Sequence, residues 1–458
     1  MSSATRYDVM VVGGGLAGVV VATLLAKRGR RAALVEPRLE WGGRYPGMSI
    51  GGFSVASGPT LAMDYTQFGA ADTYFEAVGL SLAVLTRQGT AVSREPIQAI
   101  HGRHRTTLTQ NRTELVEELQ REYGQSEAFI NGVLTDLEDA HHALAPLFDR
   151  GAGIASVGRW ANLRRQAAAR AFVSRLGGID LVGYAEMRGW PSSLGDYLAM
   201  LNAFVTPGTG SPSLAAQIFG VGSLIRGLVT LPEGTAGLCR LLISRFEALG
   251  GRVIRAPITK LDPSPCPSLE VGGERFDVGS LIINSPKPPG ATTVKINDSG
   301  NISACTLVVT VPEQCIPEPM ARHLLVMNGT DGDSSDREVW TLTKVAPVDE
   351  KRGLAIVLRE RGEFNRDRAM ERTIKTLDDL MPFARGSIAC AGYASDHDVL
   401  PPISDVLWEG PRWRPRRSGW AQAGRLPVWW LADGEAPWIR DASEYHVALM
   451  ADRIVAAA

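Results

Sequence analysis

The stretch Tyr7–Arg44, YDVMVVGGGLAGVVVATLLAKRGRRAALVEPRLEWGGR, leaves this chain few folds to choose from. Asp8–Val12 is a short apolar run without alternation, which reads as a strand buried on both faces. It breaks at Gly13-x-Gly15-x-x-Gly18. In such a turn Gly13 permits the tight reversal. Gly15 lets a pyrophosphate approach the backbone, and Gly18 lets the next helix pack close to the strand. That helix, Leu16 to Lys27, opens on Leu16 and Ala17 and aims its unpaired N–H groups and positive dipole end at the phosphates. Gly29 stops it, and Ala32–Val35 is the second strand. Glu36 ends that strand, 18 residues after Gly18, where a carboxylate accepts hydrogen bonds from a ribose diol. The bland alternative is a structural βαβ turn without a ligand. Strand, turn, helix, second strand and terminal Glu in this order favour the dinucleotide reading.

A second glycine turn, Gly42-Gly43-Arg44, follows Glu36 across the short loop Pro37–Trp41. Gly52-Phe53 and Gly58-Pro59 come next. At these residues the chain resembles the FAD-dependent amine oxidase superfamily, in its phytoene desaturase and carotenoid isomerase-like branch. The resemblance implies protein-held FAD, with the Gly-Gly-Arg turn beside its pyrophosphate. The cofactor-binding set it implies here is Gly13, Gly15, Leu16, Ala17, Gly18, Glu36, Pro37, Arg38, Gly42, Gly43 and Arg44. Family members usually carry Asp where this chain has Ala56, so one polar contact is missing.

Composition limits the alternatives. A chain of 458 residues predicts two domains. Apolar residues at 45% and charged residues at 21% fit an ordinary soluble balance, and a net charge of −1 argues against a general nucleic-acid binder. Cys239, Cys266, Cys305, Cys315 and Cys390 form no CxxC pair, so no metal and no disulfide framework are expected, and reduced thiols in a cytoplasmic protein fit best. No signal peptide is expected in Met1–Arg6, and the longest apolar run, Leu16–Ala26, is too short to span a bilayer.

The expected fold class is α/β: a Rossmann-like FAD-binding domain, parallel sheet plus β-meander, with a second α+β substrate domain. Segments 1–63, 211–290 and 396–458 are assigned to the first, and 64–210 with 291–395 to the second. Asp64–Gly79 reads as helical, and Thr86–Ile100 as mixed with short strands. Asn111–Tyr123, capped by Asn111, then Gln125–Asp149, Val157–Leu176 and Ser193–Val205 read as helices. Arg159–Arg175 interleaves Arg159, Arg164, Arg165, Arg170 and Arg175 with Trp160, Leu163, Phe172 and Val173. It reads first as a solvated helix face, with peripheral contact to an anionic membrane as the alternative. Ser213–Leu231 reads as a buried helix lining a substrate tunnel, with a shallow membrane dip as the alternative. His101 with His104, and His141 with His142, lack acidic or cysteine partners at metal-ligand spacing and read as surface or capping residues.

Leu231–Gly237 leads into a helix, Leu238–Leu249, then Gly250-Gly251 and a strand, Arg252–Arg255. By the resemblance the Val253 backbone meets the FAD adenine. Leu269–Val271, Arg275–Val278 and Ser280–Asn284 read as meander and closing strand. Ala304–Val311, Glu338–Val345 and Gly353–Leu358 read as strands of a mixed sheet flooring the substrate site, with a helix at Asp367–Met381. Val428–Ala432 is a strand ending in Asp433-Gly434, ahead of a helix from Ala442. The resemblance places Asp433 on the FAD phosphates or ribitol, and Ile439 and Ala442 beside the flavin. The family's glycines are replaced by Trp438 and Asp441, which leaves Trp438 and Arg440 as candidates facing the ring.

The first functional reading is a desaturase-like flavoenzyme acting on a hydrophobic isoprenoid or polyene by desaturation, isomerisation or saturation. The second is a flavin amine or amino-acid oxidase, with Arg226, Lys344, Tyr393 and Arg440 as pocket candidates and Lys344 as counterpart of that branch's flavin-side lysine. The third is a non-catalytic FAD-binding partner or lipid-binding subunit.

Overall fold

The computed structural model describes residues 5–43, 45–63, 65–67, 69–148, 159–176, 179–205, 214–285, 302–328, 338–348, 350–361, 365–395, 413–417, 420–432, 445, 448–449 and 451. Strand β1, Thr5–Val12, lies inside a nine-stranded sheet. It runs parallel to β2, Ala32–Val35, on one side and to the strand Glu274–Ser285 on the other. The α1 helix, Leu16–Lys27, connects β1 to β2. The parallel run continues through Arg252–Ile254 beyond β2 and Val428–Ala432 beyond Glu274–Ser285.

Period-two alternation splits β1 between two cores. Val9 and Val11 join Leu34 and Ile282 under α1, while Met10 and Val12 join Val35 and Ile283 on the meander side. All four β1 side chains are fully buried, as expected of a parallel strand covered on both faces. The α1 helix is apolar all round for the same reason, because it also packs on the helix Gly234–Ala248. Thr23, its one polar side chain within that core, donates to the Val19 carbonyl at 2.8 Å.

The meander is Ile258–Asp262, Ser268–Val271 and the first half of Glu274–Ser285. Two strands were expected where this single long one runs. Gly279 joins the halves, and a Cβ there would lie 2.8 Å from the Asp8 carbonyl oxygen, so a glycine lets β1 approach.

A second, seven-stranded sheet is mixed. Its order is Ala389–Ser395, Ile302–Pro312, Lys351–Arg361, Glu338–Lys344, His323–Asn328, Ile97–His101, His104–Leu108. The last two form a hairpin from within the segment expected to be mainly helical, and it joins His323–Asn328 in parallel. One face of this sheet, with Leu307, Leu324, Leu342 and Ile356, closes on the helix Arg366–Leu380. The opposite face carries the smaller Thr306, Thr341, Thr343 and Ala355, with His323 and Leu325.

A separate helical core gathers Arg112–Tyr123, Glu127–Phe148, Arg159–Leu176, Leu181–Met187, Ser192–Val205 and Leu214–Gly227. Two packing relations cross the expected segment boundaries. Helix Leu214–Gly227 packs in the helical core, although 211–290 was assigned to the dinucleotide domain. Helices Ala70–Ala77 and Leu82–Gln88, placed in the substrate domain by sequence, pack under α1 through Tyr74, Phe75 and Leu85. The Tyr74 hydroxyl donates to the Val20 carbonyl at 3.0 Å, which ties the first of them to α1. The helix expected over Asp64–Gly79 is confined to Ala70–Ala77, with Gly69 extended at its N-cap position, and Leu61–Ala62 ahead of it is a strand paired with Val229–Thr230. Among the described residues no helix is long and apolar enough to cross a membrane.

Candidate dinucleotide site

The loop after β1 is shaped by backbone crowding. Gly13 has φ +106°, and a Cβ on it would sit 2.3 Å from the Asn284 carbonyl oxygen. A Cβ on Gly18 would sit 2.2 Å from the Gly13 carbonyl oxygen, so only glycine lets α1 start this close to the turn. The second glycine turn folds back onto the first. Gly42 donates to the Gly14 carbonyl at 3.3 Å, and a Cβ on Gly43 would lie 2.8 Å from the Gly15 Cα. Two turns 28 residues apart in number thus meet backbone to backbone.

Glu36 is buried at the end of β2. Its carboxylate accepts four hydrogen bonds: from the Gly14 N–H at 2.8 Å, the Arg38 N–H at 3.1 Å, and Arg38 Nε and Nη2, each at 2.9 Å. Arg38 also donates through Nη1 to the Gly43 carbonyl at 3.1 Å, so it links the carboxylate to the second turn. Trp41 covers Gly14, where a Cβ would meet its ring at 2.7 Å. The Arg255 guanidinium stacks 3.5 Å from the centroid of the Trp41 ring and donates to the Arg38 carbonyl. On the other side, Asn284 Nδ2 reaches the Gly13 carbonyl at 3.4 Å, while its buried Oδ1 has no hydrogen-bond partner.

These residues fit a dinucleotide at the turn: the cradle has no Cβ, and it opens α1, whose first N–H groups are donors for a phosphate. At the ribose end all the acceptor positions of Glu36 are in use. A ribose diol would engage it by displacing Arg38.

Gly13, Gly15, Leu16, Ala17, Gly18, Glu36, Pro37, Arg38, Gly42 and Gly43 come together here, and Val253 pairs with Leu34 on the neighbouring strand. Arg44, Asp433, Trp438, Ile439, Arg440 and Ala442 lie outside the described residues. Sequence reasoning missed Trp41, Arg255 and Asn284. Trp41 was open to detection as an aromatic next to a Gly-Gly turn. The other two reach the site only through tertiary pairing.

The small-residue face of the second sheet meets the Gly58-Pro59 segment. The Gly58 N–H donates to Thr306 Oγ1 at 3.1 Å, and the Thr60 and Thr343 hydroxyls lie 3.0 Å apart. His323 Nδ1 is 3.2 Å from Thr343 Oγ1, and its Nε2 has no hydrogen-bond partner, with Glu95 at 3.7 Å. Burial, assisted by Arg322, pulls the His323 pKa down to about 4, so the ring is neutral. Lys344 stands one residue past Thr343, on the opposite side of the strand, and its Nζ donates to the Met320 carbonyl at 2.5 Å. That does not support its expected flavin-side role. Tyr393 is exposed, under the Arg366 guanidinium. The histidine pairs are structural: His104 stacks on Tyr123, and His141 stacks on Phe219 while its Nδ1 lies 3.1 Å from the Phe219 carbonyl.

Residues 11–78 match a family model described as an NAD(P)-binding Rossmann-like domain. No curated protein sequence matches the chain. Among solved structures, an oxidoreductase from Methanosarcina mazei is 13% identical with a TM-score of 0.55, over 98% of this chain and 100% of that one. A redesigned putrescine oxidase is 14% identical with a TM-score of 0.53, over 99% of both chains. The cyclohexylamine oxidase of Brevibacterium oxydans is 14% identical with a TM-score of 0.51, over 98% and 99%. At these identities the likeness is one of fold, and the fold is the mixed α/β architecture with a Rossmann-like, partly parallel sheet.

Proposed function

We propose that this chain is an FAD-dependent oxidoreductase of the phytoene desaturase type, acting on a hydrophobic isoprenoid or polyene-like substrate. The observation that carries the reading is the backbone contact of the two glycine turns beside a buried Glu36. A turn built only for packing has no need of a second side-chain-free turn against it. When bound, FAD supplies the chemistry, accepting or returning a hydride at N5.

The chain's own residues have three tasks. The Gly13–Gly18 turn and the N-terminus of α1 offer N–H groups and the helix dipole to the pyrophosphate. Glu36 takes the ribose diol, and Arg38, released from it, remains beside Gly43 as a cation for the phosphates. The Thr306, Thr341, Thr343 and Ala355 face, buried against the Gly58-Pro59 segment and the strand Phe53–Ala56, anchors the second sheet to the segment that follows the glycine turns. A C–H bond held against the flavin needs no acid–base pair from the protein. That Lys344 is committed to the Met320 carbonyl favours this reading over an amine oxidase.

The test is the visible spectrum of the purified protein, then anaerobic titration with a polyene precursor and with amines. A flavin band at roughly 450 nm that bleaches with the polyene precursor is the expected result. Bleaching by an amine alone would transfer the chain to the oxidase branch. A flavin that none of these bleaches would remove desaturation and leave isomerisation, saturation and a non-catalytic partner or lipid-binding role. Protein that is colourless and does not take up added FAD would end the reading.

A further inference from the structure

A cavity of about 630 Å³ opens at the seam between the α1 core and the helical core. Helix Ala70–Ala77 gives it Asp72 and Glu76, helix Leu214–Gly227 gives Ile225 and Arg226, and the loop before Ile97–His101 gives Arg94. Its apolar lining includes Leu82, Leu115 and Leu134. This volume is in the usual range for a small-molecule site.

The charges around it are not all matched. Arg112 and Glu138 neutralise each other at 2.7 Å, and Arg112 is further bound to Asn131 and Thr135. Arg226 is half-buried, yet it has no hydrogen-bond or ion-pair partner among the described residues. Its titratable neighbour His141 is held neutral, its pKa lowered to about 4 by burial and then by Arg226 itself, so it offers no counter-charge. A partly desolvated guanidinium without an anion is costly, and an anionic ligand group relieves the cost. Arg94, exposed at the same cavity, is also without a partner among the described residues, and so is Glu76. The cavity therefore offers unmatched charge of both signs around an aliphatic wall.

We propose that this cavity binds a zwitterionic small molecule of the amino-acid class, with its carboxylate on Arg226 and Arg94, its ammonium on Glu76, and an apolar side chain against the partly exposed Ile225. The site is independent of the FAD reading: none of these residues belongs to the dinucleotide cradle, and a ligand here would bridge the two cores.

Calorimetric titration of the full chain at low salt with L-leucine, N-acetyl-L-leucine and isoamylamine tests this, and calorimetry reads binding whether or not flavin is present. Leucine is expected to bind, and each analogue, lacking one charge, to bind at least about tenfold more weakly. Arg226→Gln should weaken leucine binding by a similar factor and leave the already weak isoamylamine unchanged. Glu76→Gln, at an exposed position that does not endanger folding, should bring leucine down to the affinity of N-acetyl-leucine. No heat with leucine, equal affinity for the three ligands, or wild-type leucine binding by Glu76→Gln would each overturn the proposal.

Discussion

Glu36 carries two burdens at once. It closes the turn in the absence of nucleotide, by accepting from Gly14 and Arg38, and it is the proposed ribose acceptor. Glu36→Ala leaves the Gly14 N–H unsatisfied and Arg38 without its carboxylate. The chain without nucleotide should lose about 1–3 kcal/mol in urea unfolding, and FAD affinity, read by flavin fluorescence, should fall at least about tenfold. Loss of stability with unchanged FAD affinity would make Glu36 a structural residue only. The position of Glu36 was legible because a βαβ unit fixes the distance from turn to second strand tip. The stack of Arg255 on Trp41 was not, because Arg255, just past the strand Arg252–Ile254, is 217 residues from its hydrogen-bond partner Arg38.

Among the elements, those with local punctuation were read closely. Asn111 was expected to cap a helix, and the helix runs Arg112–Tyr123, with Asn111 Oδ1 accepting from the Thr113 N–H at 3.1 Å and Nδ2 donating to Glu114 at 2.8 Å. Gly124, in the left-handed region at φ +64°, ends it. Asn111→Ala should therefore lower stability by about 1 kcal/mol, with Asn111→Ser nearly neutral, measured as denaturation midpoints. An Ala variant as stable as wild type would mean that Leu115, Val116 and Leu119 hold the helix by packing alone. Other elements were missed. Leu181–Met187 has an N-cap of the same kind, Asp180 Oδ1 accepting from the Gly183 N–H at 2.8 Å, but its seven residues are too few to show a helical period. The strand Ala389–Ser395 contains Gly392 and pairs with Ile302–Pro312, a partner nearly ninety residues away in the chain, across a register shift. Helix Gly234–Ala248 starts a turn earlier than expected, because Gly234 and Gly237 read as loop. A Cβ on Gly234 would in fact lie 2.5 Å from the Ala56 Cβ, so this glycine serves close packing.

At the scale of the whole molecule, two buried histidines tie stability to pH. His141 sits in the helical core and His323 on the second sheet, each with its pKa lowered from 6.5 to about 4 by burial. The folded state resists a proton that the unfolded chain accepts, so stability is full above pH 6.5 and is lost as pH falls from 6.5 toward 4. Each histidine accounts for up to about 3 kcal/mol of that loss. Urea midpoints at pH 7.5, 5.5 and 4.5 are expected to fall in that order, and His323→Gln to flatten the slope by about half. A midpoint constant across this range would mean that both rings gain solvent before the chain unfolds.

The sequence by itself determined the βαβ unit, its glycine turn and the carboxylate at the tip of β2, because these follow from local backbone sterics and fixed spacing. It also determined the alternation that makes Lys351–Arg361 and Glu338–Lys344 strands. Only the tertiary structure decided that Gly43 rests on Gly15, that Arg38 already fills Glu36, and that Leu214–Gly227 belongs to the helical core while Ala70–Ala77 belongs under α1. It alone left Arg226 at a cavity with no ion-pair partner among the described residues. Those outcomes depend on which apolar faces bury each other and where a charge then finds its partner, and contacts between residues distant in the chain leave no periodic trace along it.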